Sequence, residues 1–404
     1  MIKALLLGLF ALNRNVKAQE VLAPPPQAPD PTPPAIQQAN PMDVFASPET
    51  PTAAQPFKWE ALTLRPHPFY QFLYADGIQV STNQPVNTTI QQISPGALLE
   101  MGSHWTLDYS PLWTVYSNNK FQNTFGQAVR LAGGTVYNDW VLGISQGYTD
   151  SSSPSVETAT QIRQKIYTTA ANASYTMNSK MSLDLAVDQN FVSADQFSSY
   201  NEWSTLDWLN YQFWPRLNAA IGVGGGYDNV AASSDMTFEQ FQGRVNWRAT
   251  DKISFQLHGG VEDRQFLSGG TGDLINPVFD ATIQYQPFEH TKISLTGQRV
   301  VSPSYLLQNQ VIETTDVSGG LNQRLWGKFF LDLSGGYQTV KYVSSNSSAS
   351  KRTDDYDYLH AQLSSSFLKR GTIAVFYQIS KDNSSQTVYS FTSHQVGFQI
   401  GYRY

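Results

Sequence analysis

The chain has 404 residues, of which 13% are aromatic and only 14% are charged, so its surface is not the charged surface of an ordinary soluble domain. A formal net charge of −6 argues against a nucleic-acid-binding protein. The sequence contains no cysteine, which excludes disulfides, thiolate metal sites and cysteine nucleophiles.

Residues 1–18 have the pattern of a secretory signal peptide. Lys3 precedes the apolar run from Ala4 to Leu12, and Ala18 is the small residue before the expected cleavage site. The apolar run is too short to span a bilayer as a helix. The sequence therefore predicts an exported chain, and the amphipathic start of a cytosolic protein is the alternative.

Residues 19–66 are predicted to form a disordered, Pro-rich periplasmic tether. Eleven of the 21 prolines lie between Ala23 and Pro56. A segment of this composition cannot offset its ordering entropy by burial, which favours an extended, partly polyproline II conformation. We interpret it as a spacer, and binding to the cell wall or to a partner is the alternative role.

From residue 67 to residue 404, apolar and polar residues alternate with a period of two, which is typical of half-buried strands. The first strand is expected at Phe69–Gln79 and the last at Gln386–Tyr404. Eight short turns are expected between strands, at residues 102–105, 137–140, 177–180, 213–216, 249–252, 286–291, 325–328 and 368–371. Longer polar segments separate them, for example at residues 145–160 and 343–355.

Two architectures have a repeat of about 40 residues. A propeller blade would need four short strands in each repeat, whereas each repeat here contains two longer alternating runs. Short turns on one side and long loops on the other are typical of membrane barrels. The sequence therefore predicts an all-β protein, a transmembrane antiparallel up-and-down β-barrel of about 18 strands (16–18).

Aromatic residues fall into two groups that fit two membrane interfaces, because amphipathic rings favour the headgroup level. One group lies at the short turns: Trp105, Trp140, Trp214, Trp247 and Trp326. The other lies toward the long-loop ends: Tyr116, Tyr148, Tyr227, Phe266, Tyr305, Tyr337 and Tyr389.

The last residues alternate strictly, and the outer positions are Val396, Phe398, Ile400, Tyr402 and Tyr404. A barrel must pair its last strand with its first, because lipid offers no hydrogen bonds to an unpaired edge. The sequence VGFQIGYRY resembles the C-terminal assembly signal of bacterial outer-membrane β-barrels, with Phe398, Ile400, Tyr402 and Tyr404 at the signal positions. The resemblance implies recognition by the barrel-assembly machinery and contact with outer-membrane lipid.

The turn-and-strand units resemble a narrower family, the β-barrel porins found in polysaccharide-related contexts. The units that carry this resemblance are TDKISFQLHGGVEDRQF, HTKISLTGQRVVSPSYLLQNQ and WGKFFLDLSGGYQTVKY. It implies a location in the bacterial outer membrane and passage of hydrophilic solutes, with oligo- or polysaccharide as one candidate cargo.

The residues that alternate with the apolar positions along each strand should line the lumen. The charged candidates at these positions are Asp108, Asp184, Asp188, Glu262 and Asp332, together with Arg130, Arg244, Arg248 and Arg324, and the histidines His258 and His360 also lie at such positions. Opposed rings of charge can set ion selectivity. The alternative is that these groups only solvate a wet interior and brace the wall.

No catalytic constellation emerges from the sequence. His360 and Ser364 are separated by about 13 Å along a strand, too far for a base and its nucleophile. The glycine run at 222–226 resembles a phosphate-binding loop, but no helix follows it. Asp354 and Asp355 are expected in a long loop, either solvated or binding calcium weakly.

The sequence therefore predicts no enzyme activity, no cofactor and no metal site. The function that fits best is a porin-like channel. The alternative is a structural or adhesin-like binding barrel whose pore is sealed by loops.

Overall fold

The computed structural model describes residues 57–403, except residues 60, 82–83, 156, 232, 269–272, 305–309, 344–351 and 369. The predicted signal peptide, the Pro-rich segment from Ala23 to Pro56, Tyr305 and Tyr404 lie outside the described residues. No helix in the described part of the chain is long and apolar enough to cross a membrane.

The described residues form one short strand and eighteen long ones. Their alternating sequences are rich in β-branched and aromatic residues, which favour the pleated strands of a sheet. The first half contains β1 (Phe57–Trp59), β2 (Leu62–Gln79), β3 (Pro85–Met101), β4 (Trp105–Tyr116), β5 (Thr124–Tyr137), β6 (Trp140–Pro154), β7 (Gln161–Thr176), β8 (Met181–Ala194), β9 (Tyr200–Trp214) and β10 (Leu217–Val230). The second half contains β11 (Met236–Trp247), β12 (Ile253–Phe266), β13 (Leu274–Phe288), β14 (Thr291–Pro303), β15 (Val311–Leu325), β16 (Phe329–Val343), β17 (Arg352–Phe367), β18 (Gly371–Ser384) and β19 (Phe391–Tyr402).

The long strands close into a barrel. Each strand from β2 to β18 pairs antiparallel with the next, and β19 returns to pair with β2, from His394↔Asp76 to Gly401↔Phe69. Across this seam the ring of Phe398 lies 5.8 Å from that of Phe72. The predicted closed, up-and-down barrel of 18 strands is confirmed, and the wall has no open edge.

All eight predicted short turns join consecutive strands at one end of the barrel. The ends of the first and last strands differ from the prediction. Strand β2 begins at Leu62 rather than Phe69, and β1 pairs with its start, so residue 66 lies within the wall. Strand β19 begins at Phe391 rather than Gln386, because a single 3₁₀ turn at Thr387–Tyr389 precedes it.

The outer face of the wall is apolar at mid-height. Ile221 and Val223 are 59% and 60% exposed, whereas the inward Gln242 on the adjacent strand is buried. Along β19, Phe398 and Ile400 face outward and Gln399 faces the lumen. The predicted parity of the last strand is confirmed over its described residues.

The aromatic groups agree only partly with the prediction. Trp214, Trp247 and Trp326 are exposed at the short-turn end, as expected. At the long-loop end, however, Tyr116 is buried on the inner face against Phe121, with ring centroids 5.1 Å apart. Phe266 has lumen parity on β12, and Tyr389, in the 3₁₀ turn before β19, packs on the buried Arg352.

The long-loop end of the barrel is narrowed by a hairpin. Residues Val311 to Thr314 are all buried, although alternate residues of a wall strand should face lipid. Pairing between β13 and β14 stops at Phe279↔Arg299, so the end of the β14–β15 hairpin separates from its neighbour on that side. Val301 and Val311 belong to a buried apolar cluster that includes Val230. The hairpin end is therefore covered by protein on both faces.

Candidate functional site

The candidate site is the lumen, whose charged residues follow from the strand register. Residues paired across neighbouring strands share a face, and the rows that contain Gln399 and Gln71 define the inner one. Twelve acidic strand residues lie on this face: Glu100, Asp108, Asp184, Asp188, Glu202, Asp228, Glu262, Asp280, Asp316, Asp332, Asp354 and Asp382. Seven basic ones share it: Arg65, Arg130, Arg244, Arg264, Lys292, Arg324 and Arg352.

All but one of the sequence-predicted lumen residues lie on this inner face, including His258 and His360. The exception is Arg248. Strand β11 ends at Trp247, so Arg248 lies in the short turn, where its backbone N–H donates to the carbonyl of Arg216 at 2.8 Å. Arg248 would lie on the inner face if β11 continued, but the strand ends one residue before it.

Two predicted residues meet in the half of the lumen near the short turns. Arg244 Nη2 donates to Asp184 Oδ2 at 2.9 Å and to Asn210 Oδ1 at 2.6 Å. Its guanidinium carbon lies 4.5 Å from the centre of the Trp208 ring. The Arg244 and Asp184 side chains remain partly accessible, so this pair presents charge and aromatic surface to the lumen.

The glycine run of β10 makes room for that ring. A Cβ at position 222 would lie 2.7 Å from the Trp208 ring, closer than side-chain atoms approach. Gly222 therefore relieves crowding inside the wall, and the run at 222–226 lies within a strand, as the sequence indicated.

A second charged cluster is fully buried near the long-loop end. Arg264 is 1% exposed; its Nε donates to Glu262 Oε1 at 2.8 Å, and its Nη1 donates to Asp228. Its guanidinium carbon lies 4.5 Å from the Phe238 ring centre. Glu202 is the register partner of Asp228 on the same face. One arginine thus bonds to two carboxylates, and the acidic side chain of Glu202 lies next to them.

The loop between β6 and β7 crosses the lumen. The Ser304 hydroxyl at the end of β14 donates to Glu157 Oε1 at 3.2 Å, and Arg352 Nη1 of β17 donates to the Glu157 carbonyl at 2.7 Å. Six strands separate β7 from β14, and six separate β6 from β17 in the other direction. These bonds therefore join opposite sides of the wall.

The anchor of this loop is buried. Arg352 makes a two-bond ion pair with Asp354, with Nε–Oδ1 at 2.9 Å and Nη2–Oδ2 at 2.7 Å, and it lies 3.6 Å over the Tyr389 ring. The expectation of a solvated loop at Asp354 and Asp355 is wrong, since β17 begins at Arg352. Asp355 faces outward and accepts a hydrogen bond from the Tyr337 hydroxyl at 2.8 Å.

Most of the remaining predicted residues form hydrogen bonds to neighbouring residues of the wall and its turns. Asp108 Oδ2 lies 3.1 Å from His67 Nε2, and its Oδ1 accepts from Ser110 at 3.0 Å. Arg324 Nη2 donates to the Gly327 carbonyl at 2.7 Å in the short turn, and Asn322 donates to Asp332.

Three other predicted residues contribute surface to the lumen. His360 lies beside the Phe376 ring, 6.0 Å between centroids. Arg130 is the register partner of Asp108. Asp188 lies between Ala170 and Ser204 on the neighbouring strands and makes no ion pair within the described part of the chain.

Several important lumen residues were missed by the sequence analysis. Arg264 shares the parity of Glu262 two residues earlier, so strict application of the alternation would have found it. Arg352 was missed because its segment, residues 343–355, has the polar composition of a loop. Asp382 was missed because the residues that follow it also have such a composition. Glu157 has no strand parity, and nothing in the sequence indicates that its loop crosses the lumen.

No protein-family model and no curated protein matches the sequence. Among solved structures, the chain is similar to Pseudomonas aeruginosa OpdO, with 11% identity, a TM-score of 0.47, and coverage of 84% of this chain and 97% of that chain. It is similar to Pseudomonas aeruginosa OpdL, with 12% identity, a TM-score of 0.46, and coverage of 86% and 99%. It is also similar to Acinetobacter baumannii OccAB3, with 9% identity, a TM-score of 0.45, and coverage of 84% and 99%.

Similarities this distant carry no argument about function, whereas the geometry of the wall itself decides the environment. A closed barrel with an apolar outer face, aromatic residues at the short-turn end and a polar, charged lumen is stable only with lipid around it. The chain is a transmembrane β-barrel of the bacterial outer membrane.

Proposed function

We propose that the protein is a porin-like channel that lets hydrophilic solutes cross the outer membrane. The observation that carries this proposal is the inner face of the wall, where charged and amide side chains occupy successive strands around the ring. Barrels of this strand number have an interior too wide for side chains alone to fill. The partly accessible pair of Arg244 and Asp184 supports a solvated passage at the short-turn end.

A second function is favoured by the loop that crosses the lumen. If the contacts of Glu157 with Ser304 and Arg352 seal the long-loop end, the protein is a structural or adhesin-like barrel rather than a channel. The buried β14–β15 hairpin end supports this reading as well. The two functions differ in whether ions pass, so conductance separates them.

We expect the purified protein to give discrete current steps in a planar lipid bilayer. A variant with residues 155–160 replaced by two glycines should give larger steps, because it lacks the Glu157 bridge across the lumen. Steps of the same size in both proteins would show that the loop does not narrow the passage. Silence of the unaltered protein with current in the loop variant would show that this loop seals the passage, and silence of both proteins would favour a barrel sealed by more than this loop.

The control for the loop variant is Ser385→Ala, in the β18–β19 connection at the same end of the barrel. It should leave the step size unchanged. Both variants should retain the heat-dependent gel migration of a folded barrel.

We further propose that oligo- or polysaccharide is among the solutes, supported by the resemblance of the repeated units and by the Arg244–Trp208 stack in the lumen. Neutral oligosaccharide added to one side should interrupt the current reversibly. An undisturbed current at high saccharide concentration would restrict the cargo to smaller solutes.

A further inference from the structure

A single row of register partners runs obliquely across the inner wall from β11 to β18. In order, its members are Arg244, His258, Asp280, Gln298, Asp316, Gln338, Tyr356 and Asp382. Neighbouring strands lie about 4.8 Å apart, so Asp280 on β13 and Asp316 on β15 are about 10 Å apart along the row. The row starts near the short turns and ends near the long loops.

No acid of this row is bonded to a basic side chain within the described residues. Neither Asp280 nor Asp316 makes an ion pair with a described residue. Asp382 is 1% exposed, and neither of its carboxylate oxygens has a hydrogen-bond partner within the described structure. A buried carboxylate is costly unless a donor or a cation compensates it. Its burial makes Asp382 inaccessible to a passing ion, whereas Asp280 and Asp316 are half-buried on the inner face, where an ion can approach them.

The nearby arginines are already engaged by other carboxylates. Arg244, at the start of the row, bonds to Asp184, and Arg352, near its end, is held by both oxygens of Asp354. Arg264 is held by Glu262 and Asp228. These three arginines are thus paired, and the twelve acids of the inner face outnumber its seven bases, with Asp280 and Asp316 among the acids that are bonded to no base.

We propose that Asp280 and Asp316 of this row make the lumen selective for cations, so that its charged solutes are cationic. This inference rests on the proposed channel function. The spacing of about 10 Å is close to the Debye length at physiological ionic strength, so the fields of successive acids overlap. Low-dielectric walls focus such a field along the passage and concentrate the counter-ion.

The test is the reversal potential of the full chain in a planar bilayer under a tenfold KCl gradient. We expect a sign that indicates a permeability ratio of potassium to chloride above one. The double variant Asp280→Asn/Asp316→Asn should lower that ratio about threefold, because a change of about half of kT in the local potential alters cation and anion partition in opposite directions. Asparagine keeps the shape of each side chain, so the wall should be unchanged.

Asp355→Asn/Asp357→Asn is the matched control. Asp355 and Asp357 lie on β17 on either side of Tyr356 but face outward, so their substitution removes the same two formal charges from the other side of the wall. It should leave the permeability ratio unaltered. An equal shift in this control would mean that overall charge, not the row, sets the selectivity.

The outcomes of this experiment are distinct. Current steps with a ratio at or below one in the unaltered protein would overturn cation selectivity while leaving the channel in place. A ratio above one that the double variant does not lower would overturn the role of the row. Absence of current from both the unaltered protein and the 155–160 loop variant would overturn the channel, and the selectivity with it.

Discussion

Replacing Val187 by arginine is expected to destabilise the folded barrel by about 2–4 kcal/mol, the cost of a basic side chain near the bilayer midplane. Val187 lies in the middle of β8 (Met181–Ala194), faces outward and is 49% exposed to the surroundings of the barrel. The guanidinium would have to enter hydrocarbon or bend far along the wall to reach the headgroups. Less folded protein should be recovered at every urea concentration.

The adjacent residue provides the control. Asp188 faces the lumen, where its register partners Ala170 and Ser204 leave space for a longer side chain. Asp188→Arg should therefore change stability by less than about 1 kcal/mol, because substitutions on the lumen face mainly affect selectivity.

Both variants can be compared by refolding into lipid vesicles in urea and measuring the fraction with heat-dependent gel migration. The midpoint of Val187→Arg should fall well below that of the unaltered protein, and that of Asp188→Arg should lie near it. Equal midpoints for the two variants would contradict the assignment of inner and outer faces on which every lumen residue depends.

The wall could be predicted from the sequence because lipid imposes a simple rule on it. Every second residue of a spanning strand must be apolar, so the strands can be recognised from the alternation of apolar and polar residues. The short turns can be recognised where this alternation is briefly interrupted. The outward positions of Phe398 and Ile400 follow from this rule, as do the inward positions of Asp184 and Arg244. The rule fixes the face of a residue but not its height or its partner.

The partners depend on the offset between strands, which alternation does not reveal. Arg244 and Asp184 lie on strands that are not neighbours, and their bond follows from the offset of the strands between them. The long-loop end was less predictable still. There the lipid rule no longer applies, so Tyr116 points inward, Asp354 lies in a strand, and Glu157 crosses to Ser304.

Replacing Arg264 by methionine is expected to destabilise the barrel by about 3–5 kcal/mol, the usual effect of removing one partner of a buried ion pair. Arg264 and its partners Glu262 and Asp228 are all almost inaccessible to solvent. Without the guanidinium, these carboxylates and the adjacent Glu202 would face one another with no basic group bonded to them. Methionine retains much of the packing on Phe238, so the loss reports mainly on charge.

Arg244→Met is the matched control, since Arg244 also bonds to a carboxylate and lies over an aromatic ring, Trp208. Its side chain and that of Asp184 are partly accessible, so water can solvate the carboxylate that remains. The cost should be near 1 kcal/mol or less, as for exposed ion pairs. Urea titration of the heat-dependent gel band measures both variants.

A second substitution separates charge from packing in the Arg264 cluster. Adding Glu262→Gln to Arg264→Met removes one of the carboxylates left without a bonded base, while Gln240, which donates to Glu262 Oε2 at 2.7 Å, can still bond the glutamine oxygen. The double variant should therefore be more stable than Arg264→Met alone, although Glu262→Gln by itself weakens an ion pair of the unaltered protein. If the double variant is no more stable than the single one, loss of packing against Phe238 explains the destabilisation, and the three carboxylates do not depend on Arg264 for compensation.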